Sequence, residues 1–173
     1  DMIEFEVDDL PVHLALQPGG PILHDAAPNN VAFDWALGDS AQMEAVKAKA
    51  AHVVSFEISD NRIICNSMEP RGCWADIEDG RLHLCVNGQG VWSQKAQLAK
   101  MLGLSESEIR VTNPDVGGGF GMKAMAYPEY FLAAQAARML NRPVRWMSDR
   151  SEAMLSDNGG RDLTSTATLA LDV

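Results

Sequence analysis

The feature that most constrains this chain is a glycine-rich stretch at residues 113–123, which reads Asn-Pro-Asp-Val-Gly-Gly-Gly-Phe-Gly-Met-Lys. Glycine lacks a Cβ, so the four glycines can adopt positive φ angles and allow other atoms to approach closely. The residues before it, 109–111, predict a short strand, and Tyr-Pro-Glu at 127–129 predicts the start of a helix. A flexible linker would carry serines instead of the single Phe120, so we expect a shaped loop. Such a loop can present backbone N–H groups to an anion.

Two common phosphate-binding motifs do not match this stretch. A Walker loop ends in Gly-Lys-Ser/Thr, whereas Met122 precedes Lys123 and Ala124 follows it. A dinucleotide-binding fingerprint that began at Gly117 would need a glycine at position 122, which is methionine. The residues alone therefore leave two interpretations open: an anion-binding loop, and a glycine-rich turn that only lets a strand and a helix pack closely.

Composition argues against several other classes of protein. The 173-residue chain has a formal net charge of −10, which disfavours a nucleic-acid-binding surface. No apolar run reaches the about 20 residues that span a bilayer, and the N-terminal residues do not resemble a signal peptide, so we expect a cytoplasmic protein without a membrane span. The three cysteines lack Cys-x-x-Cys spacing and the four histidines are scattered, so neither a disulfide framework nor a zinc site is expected.

Local patterns predict both strands and helices along the chain. Residues 2–7 alternate as a strand does, and a connector rich in proline follows up to residue 30. Hairpins are expected at 53–66, around Asp-Asn at 60–61, and at 72–86, around Asp-Gly at 79–80. Further strands are expected at 31–35, 144–147 and 163–171, and helices at 40–50, 93–102, 128–140 and 149–155. These elements indicate an α+β fold with a mixed, largely antiparallel sheet and helices packed on it.

Several motifs follow one another in a characteristic order. They are Met-Glu-Pro-Arg at 68–71, Gln-Gly at 89–90, the glycine stretch, Tyr-Pro-Glu at 127–129, Arg-Pro-Val-Arg-Trp at 142–146 and Asp-Arg-Ser-Glu at 149–152. In this order they resemble the large subunit of the molybdenum hydroxylases, the family of xanthine dehydrogenase, aldehyde oxidase and aerobic carbon monoxide dehydrogenase. The resemblance implies an oxidoreductase whose α+β fold is one lobe of a molybdenum cofactor-binding domain.

The resemblance also implies which residues contact the cofactor. Gly118, Gly119, Phe120 and Gly121 match the family's loop that lies against the molybdenum centre. Gln89 matches a glutamine whose amide, a donor and acceptor without charge, lies beside the molybdenum ligands. We therefore expect Gln89 and Phe120 near the metal and no catalytic residue within this chain. Without the resemblance, Phe120 would be interpreted as a core aromatic and Gln89 as a solvated loop residue.

Other charged residues are interpreted as structural. Glu69 and Arg71 are expected to form a salt bridge, and caps and ion pairs are expected for Asp149, Arg150, Arg161 and Asp162.

Two positions depart from the family's pattern. Ala124 stands where purine-oxidising members carry a glutamate that holds the substrate, so a purine is not the expected substrate. The resemblance leaves carbon monoxide, aldehydes and other heterocycles open. The segment Gly-Gly-Arg-Asp at 159–162 lacks the histidine of the family's His-Gly-Arg-Asp.

The resemblance covers only part of the family's large subunit. Residues 1–30 are interpreted as a strand and extended connector from the preceding domain, and residues 31–173 as the first part of the molybdenum cofactor-binding domain. The full-length protein is expected to hold molybdopterin in its cytosine dinucleotide form, within a complex that includes the rest of the large subunit and iron–sulfur and FAD subunits. We expect the isolated fragment to bind no cofactor, to be inactive and to be able to form a homodimer. Two alternatives stay open: a stand-alone anion-binding module without redox chemistry, and a protein with a structural role only.

Overall fold

A β-hairpin between residues 72 and 86 is central to the fold in a computed structural model, which describes residues 4, 6–14 and 17–172. Its strands are β3 (Gly72–Glu78) and β4 (Arg81–Val86), which pair antiparallel from Cys73 opposite Val86 to Glu78 opposite Arg81. The φ angles of Asp79 and Gly80, 50° and 74°, are those of a tight turn with two left-handed residues. The hairpin predicted from the Asp-Gly pair is confirmed.

Two further strands extend the hairpin into a four-stranded sheet. β5 (Ile109–Thr112) pairs parallel with β4, and β6 (Val144–Met147) pairs antiparallel with β3, so the strand order is β5-β4-β3-β6. The sheet is therefore mixed and mostly antiparallel, and with the helices described below it confirms the predicted α+β class.

Two helices pack on this sheet and on each other. They are α2 (Trp92–Leu102), which ends at Gly103 in the left-handed region, and α3 (Pro128–Leu140). α2 begins one residue before the predicted boundary at Ser93. Alanines on α3 allow the helix to approach the sheet closely, and burial of these apolar side chains is the main force that holds the layers together. The buried core includes Cys73, Ala75, Leu82, Leu84, Val86, Leu98, Ile109, Tyr130, Ala133, Ala134 and Ala137.

The expected hairpin at residues 53–66 is wrong. The strands exist as β1 (His52–Asp60) and β2 (Ile63–Ile64), but they do not pair with each other. β1 pairs with β8 (Leu163–Leu171), and β2 pairs antiparallel with β7 (Gly159–Gly160). Each strand takes a partner distant in sequence, a choice that a local turn motif cannot reveal.

α4 (Arg150–Ser156) connects β6 to β7 and begins as predicted. The Asp149 side chain accepts a hydrogen bond from the Glu152 backbone N–H at 2.7 Å, and Glu152 accepts one in return from the Asp149 N–H at 3.3 Å. This reciprocal arrangement satisfies two backbone donors that the helix leaves free.

The chain divides into two units, residues 1–54 with 169–173, and residues 55–168. Within the first unit, α1 (Ser40–Lys47) is capped by the Asp39 side chain and ends three residues before the predicted boundary. Residues 31–35, predicted as a strand, form none, and Phe33 and Trp35 are exposed. Of the strand predicted at 2–7, residues 2, 3 and 5 lie outside the described part of the chain, and residues 4, 6 and 7 form no strand. Among the described residues, no helix is long and apolar enough to cross a membrane.

Candidate functional site

The glycine loop, residues 113–123, leaves β5 and leads through a short 3-10 helix (Met122–Ala124) into α3. Gly118 and Gly121 have φ angles of 98° and 89°, in the region that favours glycine. Phe120 between them has φ 52°, although it carries a Cβ. Left-handed backbone costs a non-glycine residue free energy, so the surrounding structure must hold Phe120 in place.

A carboxylate bridges two points of this loop, one on each side of Phe120. Oε2 of Glu69 accepts a hydrogen bond from the backbone N–H of Gly117 at 2.7 Å and another from Nζ of Lys123 at 2.9 Å. The Lys123 side chain is fully buried. Burial by itself would raise the pKa of Glu69, but the hydrogen bonds from Lys123 and Gly117 outweigh it and lower this pKa below its usual value. Glu69 is therefore ionised at neutral pH and balances the buried ammonium group.

Gln89 also forms hydrogen bonds with the loop, at Gly121 and Lys123. Its side-chain Oε1 accepts a hydrogen bond from Gly121 N–H at 2.8 Å, and its own backbone N–H donates to the carbonyl of Lys123 at 3.1 Å. A Cβ placed on Gly119 would lie only 2.6 Å from Cδ of Gln89. The structure thus brings together Gln89 and the glycine loop, which the sequence marked at separate places.

The loop also carries hydrogen-bond donors that the protein does not use. Within the described part of the chain, no acceptor pairs with the backbone N–H groups of Gly118, Gly119 and Phe120, or with the side-chain amide nitrogen of Gln89. Space is open beside Gly121, where an added Cβ would meet no atom within 4 Å. Several neighbouring donors without added charge suit an anionic or oxygen-rich ligand.

Phe120 lines a cleft of about 550 Å³ beside the loop. Its other walls come from residues 63–66, at and after β2, and from Gly160 and Arg161. The segment Gly-Gly-Arg-Asp at 159–162 therefore approaches the same cleft as the glycine loop. Residues 63–66 carry no motif that the sequence could have assigned to a site. The Phe120 side chain, 74% exposed, is not the core aromatic that composition alone would predict.

The predicted salt bridge between Glu69 and Arg71 is wrong, because Arg71 pairs with two other carboxylates. The fully buried guanidinium donates from Nε to Asp157 at 2.5 Å and from Nη1 to Glu129 at 3.0 Å. It also lies 3.6 Å from the ring centroid of Tyr127. Arg71 thereby ties the residue before β3 to α3, into which the loop leads, and to Asp157 just after α4.

The remaining charged residues behave largely as predicted. Asp149 caps α4, Arg161 pairs with Asp60 at 3.6 Å and Asp162 with Arg62 at 2.6 Å. Arg150 instead donates to the side chain of Asn66 and, at 2.8 Å, to the carbonyl of Met68.

Cysteines and histidines form no metal centre in the part of the chain that the structure describes, which holds no group of three or more metal-ligating side chains. The three cysteines are free, and burial raises the pKa of Cys73 to about 12, so this thiol is protonated and inert. Both ring nitrogens of His83 are engaged in hydrogen bonds, Nδ1 with Oε2 of Glu78 at 2.6 Å and Nε2 with Oγ1 of Thr112 at 2.7 Å.

Comparison with known proteins identifies the chain's relatives. A family model described as molybdopterin cofactor-binding domain matches residues 23–173. The large subunit of nicotine 6-hydroxylase from Paenarthrobacter nicotinovorans is 37% identical over 164 residues, which cover 90% of this chain and 20% of that protein. The carbon monoxide dehydrogenase large chain from Hydrogenophaga pseudoflava is 31% identical over 188 residues, which cover 98% and 23%. The chain thus spans about a fifth of the length of these relatives.

The fold is similar to part of a solved structure as well. The crystal structure of a Cu,Mo carbon monoxide dehydrogenase in its carbon monoxide reduced state matches with a TM-score of 0.80 and 29% identity. The match covers 95% of this chain and 23% of that one.

Proposed function

Because the chain belongs to the molybdopterin cofactor-binding domain family, we propose that it forms part of the cofactor-binding surface of a molybdenum-dependent oxidoreductase. In this proposal, Gln89 and Gly118–Gly121 contact the molybdenum–pterin group. The observation that carries it is the set of donors without a protein acceptor in the described residues: the N–H groups of Gly118, Gly119 and Phe120 and the amide of Gln89.

These donors fit the chemistry of such a cofactor. Molybdopterin presents anionic and oxygen-rich groups, which backbone N–H groups on a rigid loop can bind without importing another charge. Gly119 leaves room for the Gln89 side chain, and the space beside Gly121 is open to a ligand. When bound, the cofactor supplies the two-electron redox chemistry of the enzyme.

The chain's own residues would bind, orient and shield that group. Gln89 Oε1 is already engaged by Gly121, so its amide nitrogen is held in a defined direction and can donate to a cofactor oxygen. Phe120, beside the cleft of about 550 Å³, would exclude water from one side of the group. A dry site strengthens each hydrogen bond made within it.

We propose a domain organisation in which residues 1–30 come from a preceding domain and residues 31–173 form the first part of the cofactor-binding domain. The rest of the large subunit, together with iron–sulfur and FAD subunits, would complete the enzyme, and the cofactor would be the cytosine dinucleotide form. Relatives named as a nicotine 6-hydroxylase, a carbon monoxide dehydrogenase and an aldehyde oxidoreductase support a heterocycle, carbon monoxide or an aldehyde as the substrate. Ala124 speaks against a purine.

The test is the cofactor content of the full-length subunit that contains this chain. We expect stoichiometric molybdenum and pterin in the wild-type protein, and a cofactor affinity about tenfold lower for Gln89→Ala, because a hydrogen bond to a charged partner is lost. Gln97→Ala, on the exposed side of α2, is the matched control and should bind normally. A wild-type subunit without molybdenum that nevertheless binds a simple anion at the loop would favour the stand-alone anion-binding module.

A further inference from the structure

The glycine loop contains an unfavourable backbone conformation, which contacts with other residues must stabilise. Phe120 has left-handed backbone, and its side chain is 74% exposed, so ring packing contributes little to holding this conformation. A non-glycine residue in this region is disfavoured by about 1–2 kcal/mol. Contacts elsewhere in the loop must therefore maintain the position of Phe120.

Glu69 makes such contacts on both sides of Phe120. Its Oε2 accepts from Gly117 N–H at 2.7 Å and from Lys123 Nζ at 2.9 Å, and its own N–H donates to the Gly117 carbonyl at 3.3 Å. From these contacts, and on the basis of the function proposed above, we infer that Glu69 is a positioning residue that holds the loop in the conformation that presents Phe120 and its neighbouring N–H groups to the cofactor.

The burial of the Lys123 side chain makes its ion pair with Glu69 necessary. The Lys123 side chain has no solvent exposure, so its ammonium group depends on Glu69 for compensation. The approach of Glu69 to Gly117 is also close, because a Cβ on Gly117 would lie 2.5 Å from Cβ of Glu69. Glycine at this position is thus explained by its contact with Glu69.

Glu69 is itself firmly placed. The buried Ser67 hydroxyl donates to the Glu69 carbonyl at 2.7 Å, and Arg150 from α4 donates to the neighbouring Met68 carbonyl at 2.8 Å. Arg71, two residues further on, is anchored by Asp157. The segment 66–71 is consequently fixed to α4 and can act as a rigid support for the loop.

The charge and the hydrogen bond of Glu69 can be separated with two double variants of the full-length subunit. Glu69→Gln/Lys123→Met removes both charges but keeps a carbonyl oxygen for Gly117 N–H. Glu69→Leu/Lys123→Met is equally neutral and has no acceptor. The measurement is the hydrogen-exchange rate of the Gly121 amide, whose own acceptor, Gln89, is unchanged in both variants.

We expect near-normal exchange and cofactor content in the glutamine variant. In the leucine variant, we expect the Gly121 amide to exchange about tenfold faster and molybdenum content to fall, because the loop loses its hydrogen bond to the support. If the leucine variant does not fold, Gly117→Ala gives the same comparison, since it forces the loop away from Glu69 while both charged residues remain. Equal exchange rates in the two double variants, or in Gly117→Ala and the wild type, would overturn the inference. A wild-type subunit without cofactor would instead refute the proposed function, and the exchange rates would still decide the role of Glu69.

Discussion

Replacement of Gly119 by alanine tests the contact between Gln89 and the glycine loop. The new Cβ would lie 2.6 Å from Cδ and 2.9 Å from Cγ of Gln89, inside the 3.4 Å at which ordinary contact begins. The Gly119 backbone is not in the left-handed region, so alanine is opposed by this steric conflict and not by its own φ. The Gln89 side chain must therefore move, and its 2.8 Å hydrogen bond from Gly121 is lost. Such a bond contributes about 1 kcal/mol, which corresponds to about fivefold faster exchange of the Gly121 amide.

Hydrogen exchange followed by mass spectrometry on the full-length subunit measures this effect. Gly119→Ala and Gln89→Ala should accelerate exchange of the Gly121 amide equally, because both remove the same acceptor. The double variant should exchange no faster than either single one, since the two changes act through one hydrogen bond. Unchanged protection of Gly121 in Gly119→Ala, or additive acceleration in the double variant, would refute this account of the loop.

Three other outcomes are expected. Arg71→Met should lower the free energy of unfolding by about 3–5 kcal/mol, measured by urea denaturation, because Glu129 and Asp157 lose their buried partner; a change within experimental error would contradict this. The lowered pKa of Glu69 means that its stabilising effect is present above the ordinary glutamate value and is lost as the pH falls through the lowered pKa. Loop protection should therefore decrease on acidification in the wild type and stay constant in Glu69→Gln/Lys123→Met, and equal pH profiles would argue against this. The isolated 173-residue chain should contain no molybdenum by elemental analysis, and stoichiometric metal would show that it binds the cofactor alone.

Local sequence signals predicted the elements that depend on nearby residues. The Asp79-Gly80 turn and the Asp149–Glu152 capping box are both present, because each is decided by backbone preferences within a few residues. The hairpin expected at residues 53–66 failed because β1 and β2 pair with strands about one hundred residues later, near the contact between Arg62 and Asp162. Pairing at that distance depends on the assembled fold and leaves no local pattern.

At the site, too, contacts between residues distant in sequence could not be predicted from local patterns. The resemblance indicated Gln89 and the glycine loop, and the structure adds that they contact each other. The support from Glu69 was missed, since its partner Lys123 lies 54 residues away and Arg71, two residues from Glu69, offered a plausible but incorrect ion pair. A buried lysine is rare enough to demand a partner, but only the structure shows that Lys123 is buried.

In the proposed function, Gln89 and residues 118–121 contact the molybdenum–pterin cofactor. A density map of the cofactor-loaded full-length subunit tests it most directly. We expect cofactor atoms within about 2.7–3.2 Å of the Gln89 amide nitrogen and of at least one loop N–H group among Gly118, Gly119 and Phe120. A map in which the cofactor is fully bound by other segments, with these donors facing only solvent, would contradict it.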